Sequence, residues 1–534
     1  MFDTLDWIIV GFYCVGIIAL ATFVSRKKSG SERSAEDYFL AGRSLPWWAI
    51  GASLIAANIS AEQIIGMSGQ GFVVGMAIAV WELTAAIALI VMAKYFLPLF
   101  LEKKIYTMPQ FLKQRFDKRV SLVLSFFWLT VYIFVNLTAV LWLGSIAINT
   151  LTGLSLINGM IILAFLSLAY SLSGGLKAVA MTDIVQVVLL IFGGLAVSYI
   201  ALTKIGNGYI GNGFIEVYQQ MPEKFDMILS KYDTSSSIRG IHFTENQSYS
   251  NLPGIWILLG LGVWIGHFAY WGFNQYITQR ALGAKSLKEA QKGVMFAAYL
   301  KLLMPLVIVL PGICAAVLFP VLEKTDQAYP TMMIELLPTG LLGLTFAALI
   351  AAIVSSLASM TNSISTIFTM DICRSFSKNE ISQANLIHIG RLAVIISMLI
   401  ALVVAKPILG NSDEIFQYIQ NFTGLFTPGI LVIFLVALFW KKATTLSVLV
   451  AAILSVLMSI LIQATFPEFP YIHRMGAVFF ASGFGCFITS YIQGYRDQEK
   501  AIDLSGINFS TSKAFNANTL IVVSVLTLIY VTLG

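Results

Sequence analysis

Charge is scarce in this chain. Of its 534 residues only 11% are Asp, Glu, Lys or Arg, against 58% hydrophobic ones, and the mean hydropathy is +0.83. That excludes a water-soluble domain of this length, which would lack the polar surface to cover its core. Cysteine is scarce too: Cys14, Cys314, Cys373 and Cys486 stand singly in or beside apolar runs, without paired spacing. A disulfide framework and a metal knuckle are excluded, leaving four small buried hydrophobes. His242, His267, His388 and His473 are scattered, neither an HExxH nor a phosphate-loop pattern occurs, and no polar segment is large enough for a catalytic domain. An enzyme is therefore not expected.

What the chain has instead is apolar length. Stretches of roughly 17–25 residues, enough to cross a bilayer, occur near 6–25, 46–66, 74–97, 120–148, 155–173, 178–203, 253–276, 293–320, 339–370, 386–407, 415–440, 444–465, 472–493 and 517–533. Fourteen spans give each connection a side. One set of alternate connections holds most of the Lys and Arg, among them Arg26, Lys27, Lys28, Lys103, Lys104, Arg115, Lys288 and Arg374. The other set holds only Lys204, Lys224, Lys231, Arg239, Lys324, Lys406 and Arg474. Basic residues stay on the cytoplasmic side, which puts both termini outside. The first span lacks a basic lead-in and is followed by its basic cluster, so it reads as a retained anchor. The long polar segment 204–252 reads as an external loop; the sequons at Asn246 and Asn136 carry no weight, the second lying inside a span.

Polar residues at membrane depth are costly and point to function. Asn58, Ser60, Glu62 and Gln63 fall in the span 46–66, Glu82 in 74–97, Asp183 in 178–203, His267 in 253–276 and Lys301 in 293–320. Ser355, Ser356 and Ser359 fall in 339–370, and Gln417 and Gln420 in 415–440. A single Ser or Gln often only joins two helices; three acids and a lysine together point to a permeation path. Glycines flank the polar centres of 46–66 (Gly51, Gly66, Gly69) and 253–276 (Gly260, Gly262, Gly266). Interruptions at corresponding points, five spans apart, are the pattern of broken helices in a five-plus-five inverted repeat, whose substrate sits between the breaks.

The segments Glu36–Gln63 (EDYFLAGRSLPWWAIGASLIAANISAEQ), Tyr170–Ala178 (YSLSGGLKA), Thr182–Asp183, Tyr270–Arg280 (YWGFNQYITQR), Leu300–Pro305 (LKLLMP), Ala352–Ser359 (AIVSSLAS) and Phe416–Gln420 (FQYIQ) carry a resemblance across the chain. They resemble the sodium/solute symporter family, and within it the bacterial sodium/galactose (sodium/glucose-type) symporters. The resemblance implies an all-α integral membrane protein of about fourteen spans with a LeuT-like five-plus-five inverted repeat. The repeats would cover 46–203 and 253–440, with flanking helices at 6–25 and 441–534.

It also implies site residues. Sodium would meet the carbonyls of Ala56, Ile59 and Ala352 and the hydroxyls of Ser355 and Ser356, with Asp183 receiving it on its way to the cytoplasm. Sugar contacts would fall on Gln63, Glu82, Lys301 and Gln420, with Asn58 nearby and His267 where the galactose transporter has an asparagine. Met67, Trp81 and Phe416 would form an outer gate, and Tyr270, backed by Trp271, an inner one. Carboxylate and amide oxygens accept from sugar hydroxyls while ammonium and amide nitrogens donate. Glu82 and Lys301 would also neutralise each other, so the sugar need bring no charge. Ala85 and Trp81 depart from the galactose pattern, where a serine and a tyrosine stand, so the identity of the sugar stays open. Ala352 has no hydroxyl where relatives with a second sodium carry one, which favours one sodium per cycle.

The expected activity is thus sodium-coupled uptake of a neutral hexose by alternating access in a bacterial inner membrane. Sodium, sugar and the lipid bilayer are the expected partners, without nucleic acid. A symporter for another solute (inositol, sialate, an amino acid), a sodium-coupled sensor and a sodium channel are the competing readings.

Overall fold

The computed structural model describes residues 2–24, 34–229, 252, 254–377, 379–410, 415–467 and 469–534, except the side chains at 170, 173, 174 and 417. Residues 230–251 of the expected external loop 204–252, the Asn246 sequon among them, lie outside these residues, as does the side chain of Gln417. The part of that loop that is described forms a helix, Ile210–Gln220, and a short turn of helix, Pro222–Phe225.

The described residues are helical almost throughout, with one isolated bridge between Leu45 and Ala284. Among the described residues, ten helices are long and apolar enough to cross a membrane, or eleven when the bent pair Tyr418–Gly424 and Thr427–Phe439 counts as one. The pieces that fall short lie where the spans 46–66, 155–173 and 253–276 were expected. Interruption divides the first and the last of these, whereas 155–173 belongs to a helix that runs on to Ile205.

Burial is arranged inside out. Phe12, Phe165, Val403, Leu528 and Val531 are exposed, as suits side chains in contact with lipid, while the acids, amides and hydroxyls picked out at membrane depth are mostly interior. The first helix, Thr4–Val24, packs on Leu156–Ile205 and Leu341–Ile367. Asp6 is fully buried and its carboxylate accepts from the backbone N–H groups of Gly340 (2.8 Å) and Gly343 (2.7 Å). It therefore satisfies the orphan donors at the start of Leu341–Ile367, where a negative charge also suits the helix dipole.

Two spans share one run of helix, Leu156–Ile205, split by Gly175 at φ 59° and ψ −155°. Only glycine fits there, because a Cβ would collide with the Tyr38 carbonyl. The two interrupted helices cross the middle of the molecule. The first runs from Trp47 to Asn58, breaks at Ile59 (φ −81°, ψ 105°), and resumes through a widened π turn, Glu62–Met67, into Ser68–Val74. The second runs in pieces, Trp256–Leu259, Gly262–Phe273 and Gln275–Leu282, parted at Leu261 (φ 65°) and at Asn274.

The C-terminal end of the first interrupted helix is held by Lys224 from the segment after Ile210–Gln220. Lys224 is 2% exposed and its ammonium donates to the carbonyls of Phe72 (3.0 Å) and Val73, the way a lysine caps a helix C-terminus. Burial pushes this ammonium from the ordinary 10.5 down to about 8. The folded protein thus sheds the proton near pH 8, whereas the unfolded chain holds it to about 10.5, so stability rises with pH across that window. We expect the stability of wild type relative to Lys224→Met to grow from pH 8 upward by about 1 kcal/mol per pH unit at most. Thermal melts of both proteins at several pH values check this; parallel profiles would contradict it.

Candidate functional site

The break in the first interrupted helix creates unpaired backbone. Ile59 N–H still closes the last turn onto Ile55 O (2.7 Å). The next N–H, that of Ser60, turns instead to Gln63 Oε1 (3.0 Å), and the Ser60 hydroxyl donates to the same oxygen (3.1 Å). Ala56 O therefore loses its helical partner. Ser60 Oγ in turn accepts from Glu62 N–H (3.2 Å) and so caps the helix that resumes.

The freed carbonyls meet hydroxyls from Leu341–Ile367. Ser355 Oγ lies 3.3 Å from Ala56 O, and Ser356 Oγ lies 3.4 Å from Ala56 O and 3.2 Å from Ala57 O. Ala352, also buried, stands one turn earlier on the same helix. Of the expected sodium ligands, the structure brings Ala56, Ser355 and Ser356 together. The second carbonyl beside the hydroxyls is that of Ala57, which the sequence reading did not name; Ile59 is the residue that breaks the helix.

Asp183 adjoins this cluster rather than standing away from it. Its carboxylate accepts from Ser355 Oγ (2.5 Å) and from Ser53 Oγ. The buried guanidinium of Arg280 donates to Ser53 Oγ (3.2 Å) and to Ser359 Oγ. A carbonyl, hydroxyl and carboxylate set of this kind offers hard oxygens to a small cation.

On the other side of the same break is a cavity of about 1020 Å³, open mouth included. All six expected sugar contacts, Asn58, Gln63, Glu82, His267, Lys301 and Gln420, line it, as do the expected gates Met67, Trp81, Phe416, Tyr270 and Trp271. Gly66 allows Phe416 to pack closely, since a Cβ there would sit 2.9 Å from Phe416 Cβ.

A hydrogen-bonded chain links four spans through this cavity. Lys301 Nζ pairs with Glu82 Oε2 at 2.6 Å, with side chains 1% and 3% exposed, and also donates to Asn58 Oδ1. Asn58 Nδ2 donates to Tyr270 OH (3.0 Å), which shares a proton with Tyr276 OH (2.6 Å). The Lys301 ammonium lies 5.2 Å from the Trp271 ring centroid, a cation–π contact. The expected neutralisation of Glu82 by Lys301 is thus present in the geometry.

His267 is tied down from behind. Thr84 Oγ1 donates to Val80 O (2.5 Å) and lies 2.7 Å from His267 Nε2. With its own proton used, the hydroxyl accepts, so Nε2 carries the imidazole proton and Nδ1 is the acceptor. Gln63 has its amide oxygen engaged by Ser60, which leaves its nitrogen as the donor for a ligand. Sequence reasoning missed Thr84, Tyr276, Asn136 and Ser53. Their hydroxyls and amide look like ordinary helix-packing groups until the fold brings them to the site.

A multi-pass membrane protein whose buried polar cavity sits on an interrupted helix, with freed carbonyls at the same break, belongs by architecture to the secondary transporters. The sequence pattern of the sodium:solute symporter family matches residues 38–455. The sodium/glucose cotransporter of Vibrio parahaemolyticus is 43% identical over 98% of this chain and 97% of its own. The human sodium/myo-inositol cotransporter 2 is 32% identical over 82% of this chain and 66% of its own. A substrate-bound, outward-open Na+-coupled sialic acid symporter shares the fold, with a TM-score of 0.78 at 20% identity, covering 92% of this chain and 98% of that one. The chain belongs to the sodium:solute symporter family.

Proposed function

We propose that this protein takes up a neutral hexose, glucose or galactose, together with one sodium ion, by alternating access. The observation that carries this reading is the double use of one break. Carbonyls of Ala56 and Ala57 meet the hydroxyls of Ser355 and Ser356 on one side, and Asn58 joins Glu82 and Lys301 in the cavity on the other. The 43% identity to a sodium/glucose cotransporter across nearly the whole chain supports it.

In this reading sodium sits among Ala56, Ser355 and Ser356, with Ile59 and Ala352 nearby, and leaves by way of Asp183. The sugar meets Gln63, Glu82, Lys301, Gln420, Asn58 and the Nδ1 face of His267. Met67, Trp81 and Phe416 close above it, and Tyr270 with Trp271 below. The halves 46–203 and 253–440 are the two inverted repeats, and the helices of 6–25 and 441–534 flank them. The Lys and Arg bias places both termini outside a bacterial inner membrane.

Sodium binding ties the end of Trp47–Asn58 to Leu341–Ile367, which fixes Asn58 for the sugar and lets the outer gate close. One charge moved through 100 mV supplies about 2.3 kcal/mol, and a tenfold sodium gradient about 1.4 kcal/mol. Together, about 3.7 kcal/mol holds a neutral solute at several hundredfold accumulation. One sodium therefore suffices.

Proteoliposomes with an inward sodium gradient test the reading against a panel of hexoses, pentoses and inositols. Glucose or galactose should accumulate only with sodium, with one charge moved per sugar. Uptake of inositol alone would favour a polyol carrier, a reading that the 32% identity to a myo-inositol cotransporter supports. Sodium current without any solute would contradict symport.

A further inference from the structure

The cavity holds a second carboxylate that this mechanism does not use. Glu62 is the first residue of the π turn, lines the cavity and is 8% exposed. Its backbone is pinned by Ser60 Oγ (3.2 Å), and the side chain of Asn136 lies beside its carboxylate on the same cavity wall. Oxygen Oε1 is buried and has no hydrogen-bond partner.

Charge does not explain this carboxylate either. Among the described residues that line the cavity, Lys301 is the one Lys or Arg, and it is engaged by Glu82 and Asn58. Tyr270 and Tyr276 are hydrogen-bonded to each other, Tyr270 also accepts from Asn58, and neither hydroxyl reaches Glu62 Oε1. An ionised carboxylate only accepts hydrogen bonds, and a buried acceptor left unmet is disfavoured. Glu62 Oε1 therefore lacks a donor, and a neutral sugar is rich in hydroxyl donors. The π turn is itself a distortion that often accompanies function, and here it places Glu62 and Gln63, consecutive in sequence, on the wall of the same cavity.

We propose that Glu62 and Asn136 form a second hydroxyl-recognition subsite, in which Glu62 Oε1 accepts from a sugar hydroxyl other than the one that meets Glu82 and Lys301. The inference rests on the sugar-symport reading and deepens it. Asn136 orients the carboxylate, and the subsite helps select which hexose stereoisomer enters.

The test is sodium-driven uptake by the full-length protein in proteoliposomes, with the parent sugar and its monodeoxy analogues, one hydroxyl removed at a time. Wild type should discriminate against each analogue that lacks a recognised hydroxyl. Glu62→Gln should raise the KM of the parent sugar roughly tenfold, the equivalent of one hydrogen bond to a charged group. At one ring position it should also erase the discrimination against the deoxy analogue, leaving the others and the sodium-to-sugar ratio unchanged. Asn136→Ala should relax the same position. An equal shift for every analogue, or none, would overturn the subsite, as would a changed sodium-to-sugar ratio, which would make Glu62 a cation ligand. If wild type takes up no sugar of the panel, the symport reading itself falls and the subsite with it; if only the Glu62→Gln profile fails, the subsite alone falls.

Discussion

Replacing Lys301 by alanine should abolish sodium-driven sugar uptake, with a loss of at least ~100-fold in kcat/KM, equivalent to about 3 kcal/mol. The ammonium lies 2.6 Å from Glu82, and both side chains are almost fully buried. Removing it strands a carboxylate in the interior, a change that typically costs about 3–5 kcal/mol. Asn58 loses its partner at the same time, so the break in the first interrupted helix loses a cross-link to Leu287–Leu318. Transport and thermal stability should therefore fall together. A Glu82→Gln, Lys301→Met double variant separates the two effects. With no charge left unpaired it should regain most of the stability, because a buried ion pair contributes little beyond its neutral replacement. It should still fail to transport, because the donor and acceptors for the sugar are gone. Recovery of transport in the double variant would show that the pair is structural only. Thermal melts in detergent alongside uptake in proteoliposomes give both readings.

The second large effect is expected at the ion cluster. Ser356→Ala removes the hydroxyl that lies between Ala56 O and Ala57 O, in a fully buried and close-packed stretch of helix. Alanine keeps the helix and nearly keeps the volume, so the fold should persist. The loss of one of few oxygen ligands should raise the half-saturating sodium concentration at least tenfold, for about 1–3 kcal/mol of lost interaction. Sodium-dependent uptake should vanish at ordinary sodium. Ser355→Ala is the less direct experiment, because Ser355 also donates to Asp183 (2.5 Å) and its removal perturbs that carboxylate as well. Normal sodium stimulation in Ser356→Ala would sink the ion-site assignment.

Much of the site was legible in the sequence because membrane depth makes polarity informative. Glu82, Lys301, Asn58 and Gln420 stand out in apolar spans, and the fold brings them to one cavity. Which backbone oxygens are free was not legible. It depends on Ser60 N–H turning to Gln63 rather than to Ala56 O, and that follows from the break, a tertiary outcome. Hence Ala57 was not anticipated. Asp183 was expected on an exit route; that its carboxylate touches Ser355 and Ser53 required the packing of Leu156–Ile205 on Leu341–Ile367. Spans 155–173 and 178–203 were read as separate apolar stretches, and the structure joins them in one helix kinked at Gly175. The partners of His267 and Glu62 were hidden for the opposite reason. Thr84 and Asn136 are common in transmembrane helices as packing and bonding residues, so nothing marked them.

The central claim is that one interrupted helix couples ion to sugar, with carbonyls of residues 56 and 57 on the sodium side and the side chain of Asn58 on the sugar side. Sodium bound at the break should therefore tighten sugar binding directly, without transport. Calorimetric titration of hexose into purified wild type and Ser356→Ala, each with and without sodium, measures that linkage. Wild type should bind the sugar at least tenfold more tightly in sodium, while Ser356→Ala should bind it equally in both and near the sodium-free affinity of wild type. The same sodium enhancement in both proteins would contradict coupling through this helix.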